Sequence, residues 1–207
     1  MKFKFFVDSH KGATAFFVLG VMALFNQWDN PTAWVYLALH GIYGVLWVMK
    51  SRVFPDKRWE EQTSWLFGIF GAWGGLTLYW VAPVLLAWRD VHAPGWYLGL
   101  CVAIYAVGVF LHFSADMQKH MWLHLRPGEL LTEGLWAKNR NPNYFGELLI
   151  YAGFGLLAMH WLPPLILAAW VGFYWWPNMR EKDRSLSRYA GFEAYKKRSA
   201  LFIPGIW

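Results

Sequence analysis

Long apolar runs separated by short polar segments dominate this sequence. Six of the runs are candidates for membrane-spanning helices: residues 12–28, 32–49, 64–88, 94–114, 144–161 and 162–176. Only Leu162-Pro163-Pro164 separates the last two runs, which predicts a tight helical hairpin. Ala82-Pro83 predicts a kink or the end of the third helix. Although several runs are shorter than the roughly 20 residues of a straight span, the pattern predicts an all-α, polytopic membrane bundle of about six spans.

The basic residues lie almost entirely at one side of this predicted bundle. Eighteen of the 19 Lys and Arg flank the same ends of the six runs, and only Arg89 lies at the opposite ends. Lysine and arginine resist translocation, so the basic side is expected to be cytoplasmic. The charge pattern therefore predicts an integral, multi-pass membrane protein with both termini in the cytoplasm.

Composition supports a membrane location and excludes several function classes. Hydrophobic residues make up 57% of the chain and charged residues 15%, whereas a soluble domain has about 25% charged residues. The 16 tryptophans suit a membrane–water interface. The net charge of +6 fits attraction to anionic membrane lipids or an anion site for a phosphorylated cofactor. Nucleic acid binding does not fit a chain this apolar. Cys101, the single cysteine, excludes a disulfide framework or cysteine metal site.

Two polar segments on the predicted cytoplasmic side carry most of the candidate chemistry, residues 112–147 and 175–207. In the first, Pro142 suits the first turn of a helix and Asn141 its cap, and exposed amides at such an end attract phosphate. Glu147 shares a helical face with Asn143. Its carboxylate either stabilises the helix dipole near the headgroups or serves a function, because acids beside apolar spans are otherwise rare.

The second segment ends in the aromatic and apolar residues of 202–207, which a solvated tail would not need. Arg180 and Asp183 are three residues apart, as are Glu181 and Arg184, and each pair could form a weak surface ion pair. We expect the tail to fold back over a membrane-embedded pocket.

These segments resemble one known superfamily. Residues 140–147 read RNPNYFGE, which resembles the RHPNYFGE signature of membrane reductases: steroid 5α-reductases, sterol C14 and C7 reductases and bacterial DUF1295-like proteins. Asn141 stands where the signature has histidine. Further family-like elements follow in the expected order, namely residues 115–119, 126–129, 180–183 and the tyrosine-containing ending 189–204.

The resemblance implies a membrane oxidoreductase that transfers hydride from NADPH to a carbon–carbon double bond of a lipophilic substrate. Steroid- or sterol-like, polyprenyl and enoyl-lipid substrates all remain open, and each would enter from the bilayer. NADPH is expected in a cytoplasm-facing pocket of the last four spans and the tail. The resemblance implies cofactor-binding roles for Asp116, Lys119, Arg126, Arg140, Asn143, Tyr144, Glu147, Arg180, Asp183, Tyr189 and Tyr195. Guanidinium groups match phosphate, carboxylates can hold ribose hydroxyls, and Asn143 can bind the nicotinamide amide.

The proton donor is less clearly indicated. Steroid 5α-reductases carry a Gln-Glu pair and a tyrosine that polarise the substrate carbonyl, and this chain has no such pair. Hydride delivery must be balanced by protonation, for which the candidates are Asp8, His10, His40 and Tyr43. Asp8 also suits a helix cap, His40 an interhelical hydrogen bond and Tyr43 the core. We expect one membrane domain in which residues 12–111 form the substrate side and residues 112–207 the cofactor side.

Two other function classes stay open. The predicted membrane fold also resembles that of the isoprenylcysteine carboxyl and phospholipid methyltransferases, which use S-adenosylmethionine. These enzymes share an Arg-His-Pro-x-Tyr element and a C-terminal acidic pair. Here residues 180–183 read REKD in place of consecutive glutamates, and the signature continues as NYFGE, which favours the reductase. A non-enzymatic lipid- or haem-binding membrane protein is the third alternative.

Overall fold

A computed structural model describes residues 1–205, except for the side chain of Arg58, and over that range the fold is all-α. Its seven helices are α1 (Phe3–Leu24), α2 (Pro31–Val53), α3 (Phe67–Trp88), α4 (Gly95–Leu125), α5 (Pro142–Gly155), α6 (162–186) and α7 (Phe192–Arg198). Single 3-10 turns lie at Lys57–Glu60, Gly134–Trp136 and Leu156–Ala158. Ile206 and Trp207, which end the predicted docking segment, lie outside the described residues.

Three helices in the described range are long and apolar enough to cross a membrane. They are α2, α3 and α4, with 23, 22 and 31 residues. At about 1.5 Å per residue, each exceeds the roughly 30 Å of a hydrocarbon core. These three candidate spans indicate a multi-pass membrane protein, whereas the three further predicted spans and the orientation of the termini stay predictions.

Both predicted proline sites shape the helices as their chemistry requires. Pro83 cannot donate to the carbonyl four residues earlier, and α3 tightens into a 3-10 turn at Leu78–Trp80 immediately before it continues. In the predicted hairpin, the chain turns at Met159, whose φ is 44°, and α6 begins at Leu162. Pro163 and Pro164 thus lie in the first turn of α6, where their missing N–H groups cost nothing.

The chain packs as two compact units. The first contains residues 1–105 and 151–166. In this unit α1 and α2 touch through their backbones, because a Cβ on Gly44 would lie 2.0 Å from the carbonyl oxygen of Lys11. Only glycine permits this approach, which brings Lys11 beside Tyr43 on the neighbouring helix.

The second unit contains residues 106–150 and the described part of 167–207. Its segments of α4 and α5 are also in backbone contact, since a Cβ on Gly146 would lie 2.4 Å from the amide nitrogen of His112. Residue Ala200 pairs with the loop before α5, donating to Lys138 O (2.9 Å) and accepting from Arg140 N (2.8 Å). The tail therefore folds back onto the loop before α5, whereas its predicted place over a membrane-embedded pocket stays a prediction. The division into a substrate side and a cofactor side stays a prediction.

Membrane topology can be tested by accessibility in a cysteine-free background made with Cys101→Ala. The exposed positions Gln62→Cys and Lys197→Cys are expected to react with an impermeant maleimide only from the cytoplasmic face, because the basic residues cluster there. His92→Cys, exposed in the segment between α3 and α4, is expected to react only from the opposite face. Labelling of Gln62→Cys and His92→Cys from one face would contradict the predicted span count.

Candidate functional site

A buried ion pair organises the second unit. The Arg140 Nε atom donates to both carboxylate oxygens of Asp183, at 3.0 and 3.2 Å. Its terminal nitrogen donates to the carbonyl of Ser199, to the Ser199 hydroxyl (3.1 Å) and to the carbonyl of Lys196 (3.2 Å). Asp183 therefore pairs with Arg140 and not with Arg180, so the predicted surface pair Arg180–Asp183 is wrong. Arg140 ties the loop before α5 to the tail.

The start of α5 is covered by the tail. Lys182 Nζ donates to Arg140 O (2.7 Å) and to the side-chain oxygen of Asn141 (3.0 Å), and the Asn141 amide donates to Leu201 O (2.8 Å). Asn139 donates in the same way to Phe202 O (2.8 Å). Pro142 begins the helix as predicted, but residues 139–142 are buried. The amides of the first turn belong to Asn143 and Tyr144, which are half-buried, so phosphate binding at this helix end stays a prediction.

Tyr195 fixes the loop from the tail side. Its hydroxyl donates to Trp136 O (2.5 Å), and Trp136 in turn donates through its indole to Ala115 O (3.2 Å). Burial raises the pKa of Tyr195 to about 12, so the hydroxyl stays protonated and keeps this donor role at physiological pH. The tail, the loop and α4 are thus linked through one chain of hydrogen bonds.

Asn143 sits in a second polar cluster, at the contact between α4 and α5. Its side-chain nitrogen donates to Asp116 Oδ1 (3.0 Å), and its carbonyl oxygen accepts from His112 Nδ1 (3.0 Å). Lys119 Nζ lies 3.8 Å from Asp116 Oδ1. Asn143 Oδ1 is buried and has no hydrogen-bond partner among residues 1–205. Leaving such an acceptor without a donor costs about 1–3 kcal/mol, which a bound ligand would recover.

The other predicted cofactor residues occupy more open positions in the second unit. Tyr144 packs its ring 5.6 Å from Trp175, and Glu147 and Tyr189 are partly exposed. Arg126 lies over Trp122 at 4.5 Å and 3.5 Å from Glu133, and Arg180 is exposed on α6. Both side chains are therefore accessible to solvent. No structural finding tests these assignments, so a cofactor role for each residue stays a prediction.

A buried lysine forms the chemical centre of the first unit. Lys11 is 6% exposed, and its Nζ donates to the hydroxyls of Tyr43 (2.9 Å) and Tyr151 (3.0 Å). The ammonium also lies 3.9 Å from the ring centre of Trp47. Aromatic faces and phenol oxygens thus hold this cation in a membrane protein interior, where an uncompensated charge is costly.

The Lys11 cluster borders a small cavity, which places three of the four proton-donor candidates together. Besides Tyr43, its walls include His10, stacked on Trp80 at 4.4 Å, and His40, stacked on Phe154 at 4.0 Å. A 2.8 Å hydrogen bond joins His40 to a tyrosine hydroxyl one turn earlier, and His40 lies in a π-helical turn of α2. Such turns are frequent at functional sites.

Asp8 is separate from this cavity. Its carboxylate accepts from the Trp47 indole (3.1 Å) and the Ser51 hydroxyl (2.7 Å), and it lines a different cavity with Lys4 and Lys50. It therefore bridges α1 and α2, and the alternative interpretation of Asp8 as a helix cap is wrong. The contacts of Asp8 do not join it to the other proton-donor candidates, so a role in proton donation stays a prediction.

Sequence reasoning missed Lys11, Tyr79 and Tyr151, which line the same cavity as His10. Its position directly before the first apolar run places Lys11 among the flanking charges that are expected to orient that span. The only sequence signal was the spacing of Tyr151, which follows Asn143 and Glu147 at intervals of four residues on one face of α5.

Comparison with known proteins gives a family without a described activity. Residues 1–199 match the family described as "Protein of unknown function (DUF1295)". No curated protein matches the chain. The match covers nearly the whole sequence. The chain therefore belongs to the DUF1295 family.

Proposed function

We propose that this protein is a membrane oxidoreductase of the 5α-reductase superfamily that uses NADPH to reduce a carbon–carbon double bond in a lipophilic substrate. The substrate would be steroid- or sterol-like, a polyprenyl compound or an enoyl lipid. The carrying observation is the side-chain amide of Asn143, whose nitrogen donates to Asp116 and whose buried oxygen has no hydrogen-bond partner among residues 1–205. A nicotinamide carboxamide presents the N–H that this oxygen lacks.

The polar groups of the second unit fit such a cofactor. Asp116 orients Asn143, because its carboxylate accepts from the amide nitrogen and leaves the amide oxygen as the group facing a ligand. Arg140 is already occupied by five protein contacts, so phosphate binding would fall to the exposed guanidinium groups of Arg126 and Arg180. Bound NADPH would supply the hydride.

The first unit supplies candidate proton donors. Tyr43 and Tyr151 each accept a hydrogen bond from Lys11, and a phenol that accepts can still donate its own proton. The ammonium stabilises the negative charge that develops on a phenol oxygen as that proton leaves. His10 and His40 line the same cavity and could restore the proton.

The cofactor class can be tested by equilibrium binding to detergent-purified protein. The proposal expects tighter binding of NADPH than of NADH, because exposed arginines favour the 2′-phosphate, and tighter binding of NADPH than of S-adenosylmethionine. Asn143→Ala removes the amide and is expected to raise the NADPH dissociation constant about 5- to 150-fold. Asn139→Asp is the control in the neighbouring loop, because it changes no group of the Asn143 cluster. A much smaller effect on NADPH binding than that of Asn143→Ala would show that the loss comes from the Asn143 contact and not from a loosened loop.

Each alternative has its own outcome in this experiment. Preferential binding of S-adenosylmethionine would replace the reductase by a methyltransferase of the isoprenylcysteine or phospholipid type. Unchanged NADPH binding by Asn143→Ala would contradict the assigned site, even if the cofactor were correct. Gel filtration of each variant shows whether the protein remains folded and monodisperse.

A further inference from the structure

A second buried amide lacks a partner in the same unit. The side-chain nitrogen of Asn178 is buried and has no hydrogen-bond partner among residues 1–205. The residue lies in the Trp176–Leu186 segment of α6, directly before Met179, which is completely buried. Buried donors without partners are rare in native proteins, and each one calls for an explanation.

Neighbouring contacts place Asn178 next to the start of α5. Three residues earlier, Trp175 packs against Tyr144 at 5.6 Å, and four residues later, Lys182 donates to Asn141 at 3.0 Å. Residues three and four apart share one face of a helix. Asn178 therefore lies on the face of α6 that contacts residues 141–144, between those two contacts.

The two unpartnered amide atoms are chemically complementary. Asn178 offers a buried N–H donor, and Asn143 offers a buried oxygen acceptor. A ligand that satisfies both must carry an acceptor and a donor close together, and a primary carboxamide has this pattern. An adenine edge carries a donor and an acceptor as well, so the experiment must separate the two groups.

We propose that Asn178 is a positioning residue that, together with Asn143, binds the carboxamide of the nicotinamide ring. The Asn178 nitrogen donates to the carboxamide oxygen, and Asn143 Oδ1 accepts from the carboxamide N–H. This inference rests on the proposed function, and it adds a residue outside the superfamily-like signature of residues 140–147. Two contacts on one carboxamide would fix which face of the ring is presented.

The test compares NADPH with its thionicotinamide analogue, in which a sulfur, a weak acceptor, replaces the carboxamide oxygen. The parent protein is expected to prefer NADPH. Asn178→Leu removes the donor and is expected to raise the NADPH dissociation constant about 5- to 150-fold. The sulfur of the analogue accepts only weakly from Asn178, so its binding should be affected much less and the preference for NADPH should collapse. Asn178→Asp keeps the side-chain size and should give the same loss of NADPH binding.

Glu181→Gln is the matched control, because Glu181 lies one residue before Lys182 but is exposed. It should bind both nucleotides as the parent does. Equal losses for NADPH and the analogue in Asn178→Leu would overturn the inference, since the residue would then contact adenine or act on the fold. If the parent binds NADPH and Asn178→Leu binds it equally well, the inference about Asn178 is overturned and the proposed function is not. A parent that binds neither nucleotide would overturn the proposed function as well.

Discussion

Replacing Arg140 by methionine is expected to destabilise the protein by about 3–5 kcal/mol, because the change leaves the carboxylate of Asp183 buried without its cation. Arg140 is 6% exposed and donates to Asp183 and to the backbone and hydroxyl of Ser199. Removing it releases the tail from the loop before α5. The free energy of unfolding in mixed detergent micelles measures the loss.

A double variant separates the ion pair from the rest of the network. Arg140→Met combined with Asp183→Leu removes both charges and should recover part of the lost stability, since no unpaired charge then remains in the interior. Arg126→Met is the matched control. Its pair with Glu133 is 3.5 Å long and its side chain is 50% exposed, so it should cost about 1 kcal/mol or less. Equal losses for Arg140→Met and Arg126→Met would contradict a structural role of the buried pair.

The helices could be predicted from the sequence because apolar runs and prolines act locally. The start of α5 at Pro142 and the start of α6 near Pro163 follow from the missing N–H of proline. The partner of Asp183 could not be predicted in this way. Local spacing suggested Arg180, three residues away, whereas the structure selects Arg140 across 43 positions of the chain. Only the folded tail brings that pair together.

Lys11 shows the same limit within the first unit. Its position at the edge of an apolar run indicates an interfacial charge, and the sequence contains nothing that shows its two tyrosine contacts. These depend on the backbone approach at Gly44 and on Tyr151, which lies 140 positions away in the chain. The signature in residues 140–147 located the Asn143 cluster, but the unpaired oxygen of Asn143 is visible only in the structure.

Lys11→Met is expected to lower the rate of NADPH-dependent reduction at least about 100-fold while leaving NADPH binding intact. A positioned general acid contributes roughly 10²- to 10⁴-fold to a proton-transfer step. Methionine matches the length of the lysine stem and suits the aromatic walls of Trp47, but it removes the charge that stabilises a phenol oxygen as its proton leaves. Single-turnover oxidation of NADPH in lipid nanodiscs, with a steroid enone, a polyprenal and an enoyl lipid as substrates, measures the effect.

Tyr43→Phe and Tyr151→Phe remove one hydroxyl each and identify which phenol supplies the proton, with the larger rate loss expected for the donor. Lys50→Met is the matched control for the charge change. Lys50 is a second buried lysine of this unit, 5% exposed and 4.8 Å from the same Trp47 ring, but it borders the cavity that contains Asp8. It should retain the parent rate. Parent-like turnover in Lys11→Met, or equal losses in Lys11→Met and Lys50→Met, would show that the Lys11 cluster holds the helices together and does not move the proton.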